Sequence, residues 1–253
     1  SQIESARQCA LRTALERHGG RTEKQQPQLL GIAVHALAEG LAVGATSADI
    51  DLAVDEFLGR QAHLAPWERD RLRRRITKMR TALEQWVSDT GSQRRLVGSE
   101  LAMDVTVPAS APDEPALRLR GRIDWLATDP EDNVIVTDFK TGTTKPTIAE
   151  AEAHPQLATY QLAVALGALA DALEGDTPRL GGAELVYLAS GRPELRKQAP
   201  QSQETREAWL GTLRDVAART TGPRFVARQG EYCARCPVRS SCPLQSEGRQ
   251  LTS

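Results

Sequence analysis

The chain has 253 residues, 40% hydrophobic and 26% charged, with 32 basic against 33 acidic side chains and a net charge of −1. That length can bury the core of one large domain or two small ones, and the balanced charge excludes both a polybasic tail and an acidic disordered chain. A mean hydropathy of −0.42, with no run near 20 apolar residues, excludes a membrane-spanning helix. Aromatics at 4% argue against base stacking as the main mode of nucleic-acid binding, and four cysteines are too few for a disulfide scaffold. No charged segment followed by an apolar one opens the sequence as a secretory signal would, and a first residue of Ser1 reads as a domain cut from a longer chain.

The first third reads helical. Ile3, Ala6, Cys9, Ala10 and Ala14 recur at helical intervals up to Gly19-Gly20, with Ser1 and Glu4 at capping-box spacing. A polar linker, Arg21 to Pro27, precedes a mostly apolar helix over Leu29 to Leu41. A third helix is predicted over Ser47 to Leu58 and a long one over Pro66 to Ser88, where Leu72, Ile76, Met79, Leu83 and Trp86 share a face. The period then changes to two. Strands are predicted over Leu96 to Val107, over Leu117 to Trp125 and over Val134 to Lys140, with turns at Ser110 to Pro115 and Asp129 to Asn133. A helix over Pro155 to Leu173, a strand over Glu184 to Ala189 and a helix over Ser202 to Thr220 follow. The last thirty residues read as irregular and hold three of the four cysteines. The order of helices, β-meander, helix, strand and helix predicts an α/β or α+β arrangement.

Asp138 and Lys140 lie two apart on one strand and so point to the same face; Asp124 lies on the polar face of the strand before. The short intervening turn predicts a hairpin that brings the two aspartates together. Ionised side by side they repel, and a hard divalent cation is the natural counter-charge.

These residues resemble the PD-(D/E)xK nuclease superfamily, in particular its RecB-type branch, in chain order. Gly31-Ile32-Ala33-Val34-His35 is similar to the family's Gly-x-x-x-His helix, and Gly121-Arg122-Ile123-Asp124-Trp125 to its Gly-x-x-Asp strand. Asp138-Phe139-Lys140-Thr141-Gly142 resembles its Asp-x-Lys-Thr-Gly, and Gln156-Leu157-Ala158-Thr159-Tyr160 its Gln-x-x-x-Tyr helix. The resemblance implies a restriction-endonuclease-like core, a mixed sheet flanked by helices, with a helical region over 1–90, a catalytic core over 91–220 and a cysteine loop over 221–253 that closes on Cys9, all in a single domain. It implies that His35, Asp124, Asp138 and the main-chain carbonyl of Phe139 ligate Mg²⁺ or Mn²⁺. Lys140 would hold and polarise the attacking water and stabilise charge on the scissile phosphate, and Gln156 and Tyr160, four apart on one helix face, would reach the same phosphate or the active-site edge. Glu100, on the preceding strand, is a candidate further acidic ligand.

Cys233-x-x-Cys236-x5-Cys242 and the distant Cys9 make one four-thiolate set, which suits either zinc or an iron–sulfur cluster. The paired Cys-x-x-Cys knuckles common in zinc sites are absent, and Pro follows both Cys236 and Cys242. The same layout resembles the iron–sulfur staple of AddB- and AdnAB-type nucleases, which implies a [4Fe–4S] cluster clamping the first helix to the tail.

Arg69 to Arg80 carries seven basic residues and one acid, and Arg118, Arg120 and Arg122 share a strand face with Asp124. Such runs are commonly solvated faces; beside a nuclease site Arg73, Arg74 and Arg122 are candidates for backbone contact. The net charge of −1 predicts weak DNA binding by the chain alone. The motor motif Gly-x4-Gly-Lys-Ser/Thr is absent. The resemblance therefore implies the nuclease module of a helicase–nuclease, nearest to an AdnB-like subunit. Its expected partners are DNA strands or ends and a helicase motor in the same longer chain or a paired subunit. Its expected activity is end-resection exonuclease cleavage in a cytoplasmic, nucleoid-associated setting. A non-catalytic DNA-end-binding scaffold and a stand-alone RecB-like exonuclease are the alternatives.

Overall fold

The computed structural model describes residues 2–18, 26–109, 116–173 and 178–248. In chain order these form α1 (Gln2–Gln8), α2 (Ala10–Arg17), α3 (Gln26–Ala42), α4 (Ser47–Gly59), α5 (Pro66–Gly91), β1 (Arg95–Val107), β2 (Leu117–Thr128) and β3 (Asn133–Lys140). Then come α6 (Ile148–Glu152), α7 (Pro155–Ala165), α8 (Ala170–Leu173), β4 (Arg179–Tyr187), β5 (Glu194–Gln198) and α9 (Gln203–Thr220), with short 3₁₀ turns at Glu231–Arg235 and Arg239–Ser241. The turn expected at Ser110 to Pro115, Gly19-Gly20 and most of the Arg21 to Pro27 linker lie outside the described residues. The chain divides into two compact units: residues 24–202, and residues 1–23 together with 203–253.

The larger unit is built on one five-stranded mixed sheet in the order β1-β2-β3-β4-β5. The expected meander is present: β1 pairs antiparallel with β2, and β2 with β3 through Trp125↔Thr137 to Thr128↔Val134. The β2–β3 turn is closed by Asp129, whose Oδ1 accepts from the backbone N–H groups of Glu131 and Asn133. β4 then returns parallel to β3, and β5 closes the edge antiparallel to β4. β5 is absent from the sequence reading because Glu-Leu-Arg-Lys-Gln has a single apolar residue; a charged edge strand carries no period-two signal and resists edge-to-edge pairing.

Two apolar cores sandwich this sheet. Leu30, Val34 and Leu37 of α3, Ile50 and Leu58 of α4 and Ile76, Met79, Leu83 and Trp86 of α5 pack with Trp125, Phe139, Val186 and Leu188. On the other side Leu157, Tyr160, Ala163 and Val164 of α7 pack with Leu126, Val134, Val136 and Leu185. α4 starts on a reciprocal cap between Thr46 and Asp49, and α5 on Pro66 with Glu68 Oε2 accepting from Ala65 N–H at 2.9 Å.

Two helices expected as continuous are broken. The first is interrupted at Cys9, extended at φ −157°, ψ 110°, whose Sγ caps α2. The helix from Pro155 ends at Ala165, and Gly167 (φ +82°) turns the chain before α8.

The core lies directly beneath the acidic strand ends. The Trp86 ring meets Trp125 at 5.5 Å and Phe139 at 5.1 Å, both edge-to-face. Trp86→Ala should lower the unfolding free energy by about 3–5 kcal/mol, whereas Trp86→Phe, which keeps a ring and removes an indole N–H that has no hydrogen bond, should cost less than half of that. Denaturant unfolding of the two variants measures the difference.

Candidate active site

β2 and β3 run antiparallel up to Trp125↔Thr137, and just beyond that pair each strand carries an aspartate. Asp124 and Asp138 are 5% and 2% exposed. The Oδ2 of Asp124 accepts from the backbone N–H of Phe139 at 2.7 Å, which fixes the carboxylate against the neighbouring strand. Its Oδ1 lies 3.4 Å from His35 Nδ1, and the same nitrogen lies 2.8 Å from Glu100 Oε1. His35, Glu100 and Asp124 each bring a ligand atom within 4.8 Å of the others, a set of one imidazole and two carboxylates that fits a hard divalent cation.

Each of the three is placed by a different element. α3 delivers His35 from a helix otherwise anchored by Leu30, Val34 and Leu37. Gly31, one turn earlier, leaves space beside it, since a Cβ there would meet nothing within 4 Å. β1 delivers Glu100 from a left-handed backbone, φ +51°, which costs strain for any residue but glycine and commonly marks a functional constraint. β2 delivers Asp124 three residues after Gly121, where a Cβ would come within 2.8 Å of Met103 Cε and 3.8 Å of Tyr160 Cε1. The glycine of the Gly-x-x-Asp pattern thus gives room to the end of the Met103 side chain between β1 and β2.

Asp138 belongs to a second, adjoining network. Lys140 Nζ stands 2.6 Å from its Oδ2, and Gln156 Nε2 donates to its Oδ1 at 2.5 Å. Gln156 Oε1 accepts from Lys140 Nζ at 2.8 Å, and Gln156 Nε2 also donates to Tyr160 Oη at 2.8 Å. A cation on one side and a carboxylate on the other define which end of the amide is oxygen. The two motif residues of α7 therefore act first on the acidic strand: Gln156 bridges Asp138, Lys140 and Tyr160. Sequence spacing shows that Gln156 and Tyr160 share a face, but not that this face closes on Asp138.

The remaining candidates divide. Arg122 is exposed and reaches Glu100 Oε2 at 3.4 Å, at the rim of the cluster. Arg118 and Arg120 turn instead to Asp104, at 2.7 and 3.1 Å. Arg73 pairs with Asp55 of α4 at 2.5 Å, as Arg80 pairs with Asp51. Arg74 is exposed and makes no ion pair among the described residues.

In the smaller unit all four cysteines are free and line one pocket with Leu11, Arg12, Arg228, Tyr232, Val238 and Arg239. Arg12 N–H points to Cys9 Sγ at 3.5 Å and Gly230 N–H to Cys233 Sγ at 3.4 Å. Tyr232 Oη lies 2.6 Å from the Gln8 carbonyl and 2.8 Å from that of Arg228, so the turn bearing Cys233 is tied beside Cys9.

The whole length of this chain up to residue 243 matches the PD-(D/E)XK nuclease superfamily, residues 1–243, and the chain belongs to that superfamily. Its members are metal-dependent nucleases, and this chain carries the cluster of His35, Glu100 and Asp124. No curated protein matches the sequence. Among solved structures, the crystal structure of SSO0001 is 16% identical, covers 92% of this chain and 94% of its own, and superposes with a TM-score of 0.39.

Burial, then the charge of Asp138, pushes the Asp124 carboxyl up to about 7, against the smaller opposing pull of His35 and the Phe139 N–H. The folded protein thus binds this proton more tightly than the unfolded chain. The corresponding stability is present at low pH and is lost as pH rises from the ordinary carboxylate range through about 7. Metal-free protein should melt at a lower temperature at pH 8 than at pH 6, and Asp124→Asn should flatten that dependence; thermal unfolding across this range in chelator measures both.

Proposed function

We propose that this chain is a RecB-type deoxyribonuclease module that hydrolyses phosphodiester bonds in DNA strands at duplex ends. The observation that carries the reading is the convergence of His35, Glu100 and Asp124 beside the Asp138–Lys140–Gln156 network. His35, Glu100, Asp124 and Asp138, with the Phe139 carbonyl, would hold Mg²⁺ or Mn²⁺, which supplies a nucleophile at neutral pH and charge relief on the phosphate. Lys140 holds the attacking water and donates to the scissile phosphate once released from Asp138. Gln156 keeps the ammonium aimed along β3, and Tyr160 remains protonated because burial and Asp138 push its phenol up. Arg122 and Arg74 then offer contacts to the DNA backbone, while the charge of Arg73 is matched by Asp55.

The cysteine set is proposed to carry a [4Fe–4S] cluster, in keeping with AddB- and AdnAB-type nucleases. The paired Cys-x-x-Cys knuckles common in zinc sites are absent, and Pro follows both Cys236 and Cys242, which supports the cluster over zinc. With no Walker motif in the chain, a helicase motor, in an adjoining segment or a paired subunit as in an AdnB-like assembly, would deliver the strands.

Linear single-stranded DNA with Mn²⁺ or Mg²⁺ is the direct test. Wild-type protein should cut it, chelator should stop it, and Asp138→Ala or Lys140→Ala should reduce the rate by about 10³-fold or more, in line with the several kcal/mol that such electrostatic groups supply. Cutting that survives both substitutions would reject the site. Anaerobically purified protein should be brown, and Cys242→Ala should lose the colour and the stability of the smaller unit, read by absorbance and thermal unfolding; colourless protein holding zinc would reject the cluster.

A further inference from the structure

α5 presents a second feature. Trp67, Arg71, Arg74 and Lys78 are spaced 4, 3 and 4 along the helix, so they fall on one face, opposite the buried Leu72, Ile76, Met79 and Leu83. All four are exposed, Trp67 at 61%. Arg73 and Arg80, on another side of the same helix, are neutralised by Asp55 and Asp51 of α4. Arg71, Arg74 and Lys78 make no ion pair among the described residues. Like charges at i+3 and i+4 spacing destabilise a helix, an effect only partly relieved here by Glu68 and Asp70 one turn earlier, and an exposed indole gains nothing from solvent. With no ion pair to this row among the described residues, the stripe has the pattern of a surface open to a ligand.

The chemistry of the stripe matches one polymer. An aromatic face beside a row of cations binds single-stranded nucleic acid, the ring stacking on a base and the cations tracking the phosphates. Trp67 to Lys78 spans about 16 Å, on the order of three to five nucleotides. A paired duplex keeps its bases stacked internally and cannot use the indole. One such platform is consistent with a chain in which aromatics are only 4%. The stripe also leads toward the acidic strand end. The stem of Lys78 packs on the β4–β5 turn, where a Cβ at Gly191 would lie 3.0 Å from its Cγ and Cε. That turn begins just after Leu188, whose N–H donates to the Lys140 carbonyl at 3.0 Å.

We propose that Trp67, Arg71, Arg74 and Lys78 form a binding track for single-stranded nucleic acid, with Trp67 as base platform, whose Lys78 end abuts the strand end carrying Lys140. The proposal rests on the nuclease reading for its purpose, but its test does not need cleavage. The Asp138→Ala chain in chelator is titrated with fluorescein-labelled dT15, with a 15-base-pair duplex, and with an acidic polyglutamate peptide. The dT15 should quench tryptophan fluorescence. Trp67→Ala should abolish the quench and weaken binding by about 5- to 100-fold, and Trp67→Phe should restore part of it. Arg71→Ala with Arg74→Ala should reduce the slope of log affinity against log salt by about 1 to 1.5. Because these side chains are on the surface, circular dichroism should be unchanged in every variant. Equal dT15 binding with and without Trp67 would overturn the proposal, as would duplex or polyglutamate bound more tightly than dT15 through the same residues. A chain that binds dT15 through Trp67 yet cuts nothing with Mn²⁺ as wild type would sink the nuclease reading and leave the track standing.

Discussion

Two carboxylates pressed together out of water set the terms for the larger unit. Asp124 and Asp138 sit on adjacent strands, each almost wholly buried, and burial together with the charge of Asp138 raises the cost of ionising Asp124. The Phe139 N–H and His35 offset that cost at Asp124, while Lys140 and Gln156 contact Asp138. In the proposed nuclease reading, His35 and Lys140 also serve the chemistry, as metal ligand and as the cation at the phosphate. The aromatic cluster of Trp86, Trp125 and Phe139 lies immediately beneath and holds the two strands in the register that forces the carboxylates together. Core packing and electrostatic preorganisation are therefore coupled through residues adjacent in sequence: Trp125 follows Asp124, and Phe139 follows Asp138.

Much of this was legible in the sequence because it depends on short-range periodicity. The period of two across Val134 to Lys140 puts Asp138 and Lys140 on one face, and the brief Asp129 to Asn133 turn makes the hairpin. The period of 3.6 in Leu72, Ile76, Met79, Leu83 and Trp86 gives α5 and its buried side correctly. Features that depend on tertiary pairing were not legible. The left-handed backbone at Glu100 has no signature in Ser99-Glu100-Leu101, and the closing of Gln156 on Asp138 depends on how α7 packs. The basic run of α5 reads as one uniform surface until α4 supplies Asp51 and Asp55 to Arg80 and Arg73, leaving Arg71, Arg74 and Lys78.

The smaller unit follows a different logic. With only Leu213 buried in α9 and short helices on either side of Cys9, it has little apolar core of its own. Its four thiols instead converge on one pocket, helped by an N-cap at Cys9 and by Tyr232 holding the Gln8 carbonyl. Small units with little core commonly rely on a metal or cluster for stability. The superfamily assignment spans both units, so the cysteine pocket belongs to the same matched region as the acidic strands.

The central claim is that His35, Glu100 and Asp124 form one cation site with the adjoining Asp138. A Mn²⁺ titration followed by electron paramagnetic resonance, with no DNA present, tests it most directly. Wild-type protein should remove free Mn²⁺ from solution, and Glu100→Gln, Asp124→Asn and Asp138→Asn should each weaken that uptake by roughly 10- to 100-fold or more, while Arg118→Gln, whose arginine pairs with Asp104, should not change it. Uptake indifferent to the three carboxylates would contradict the account.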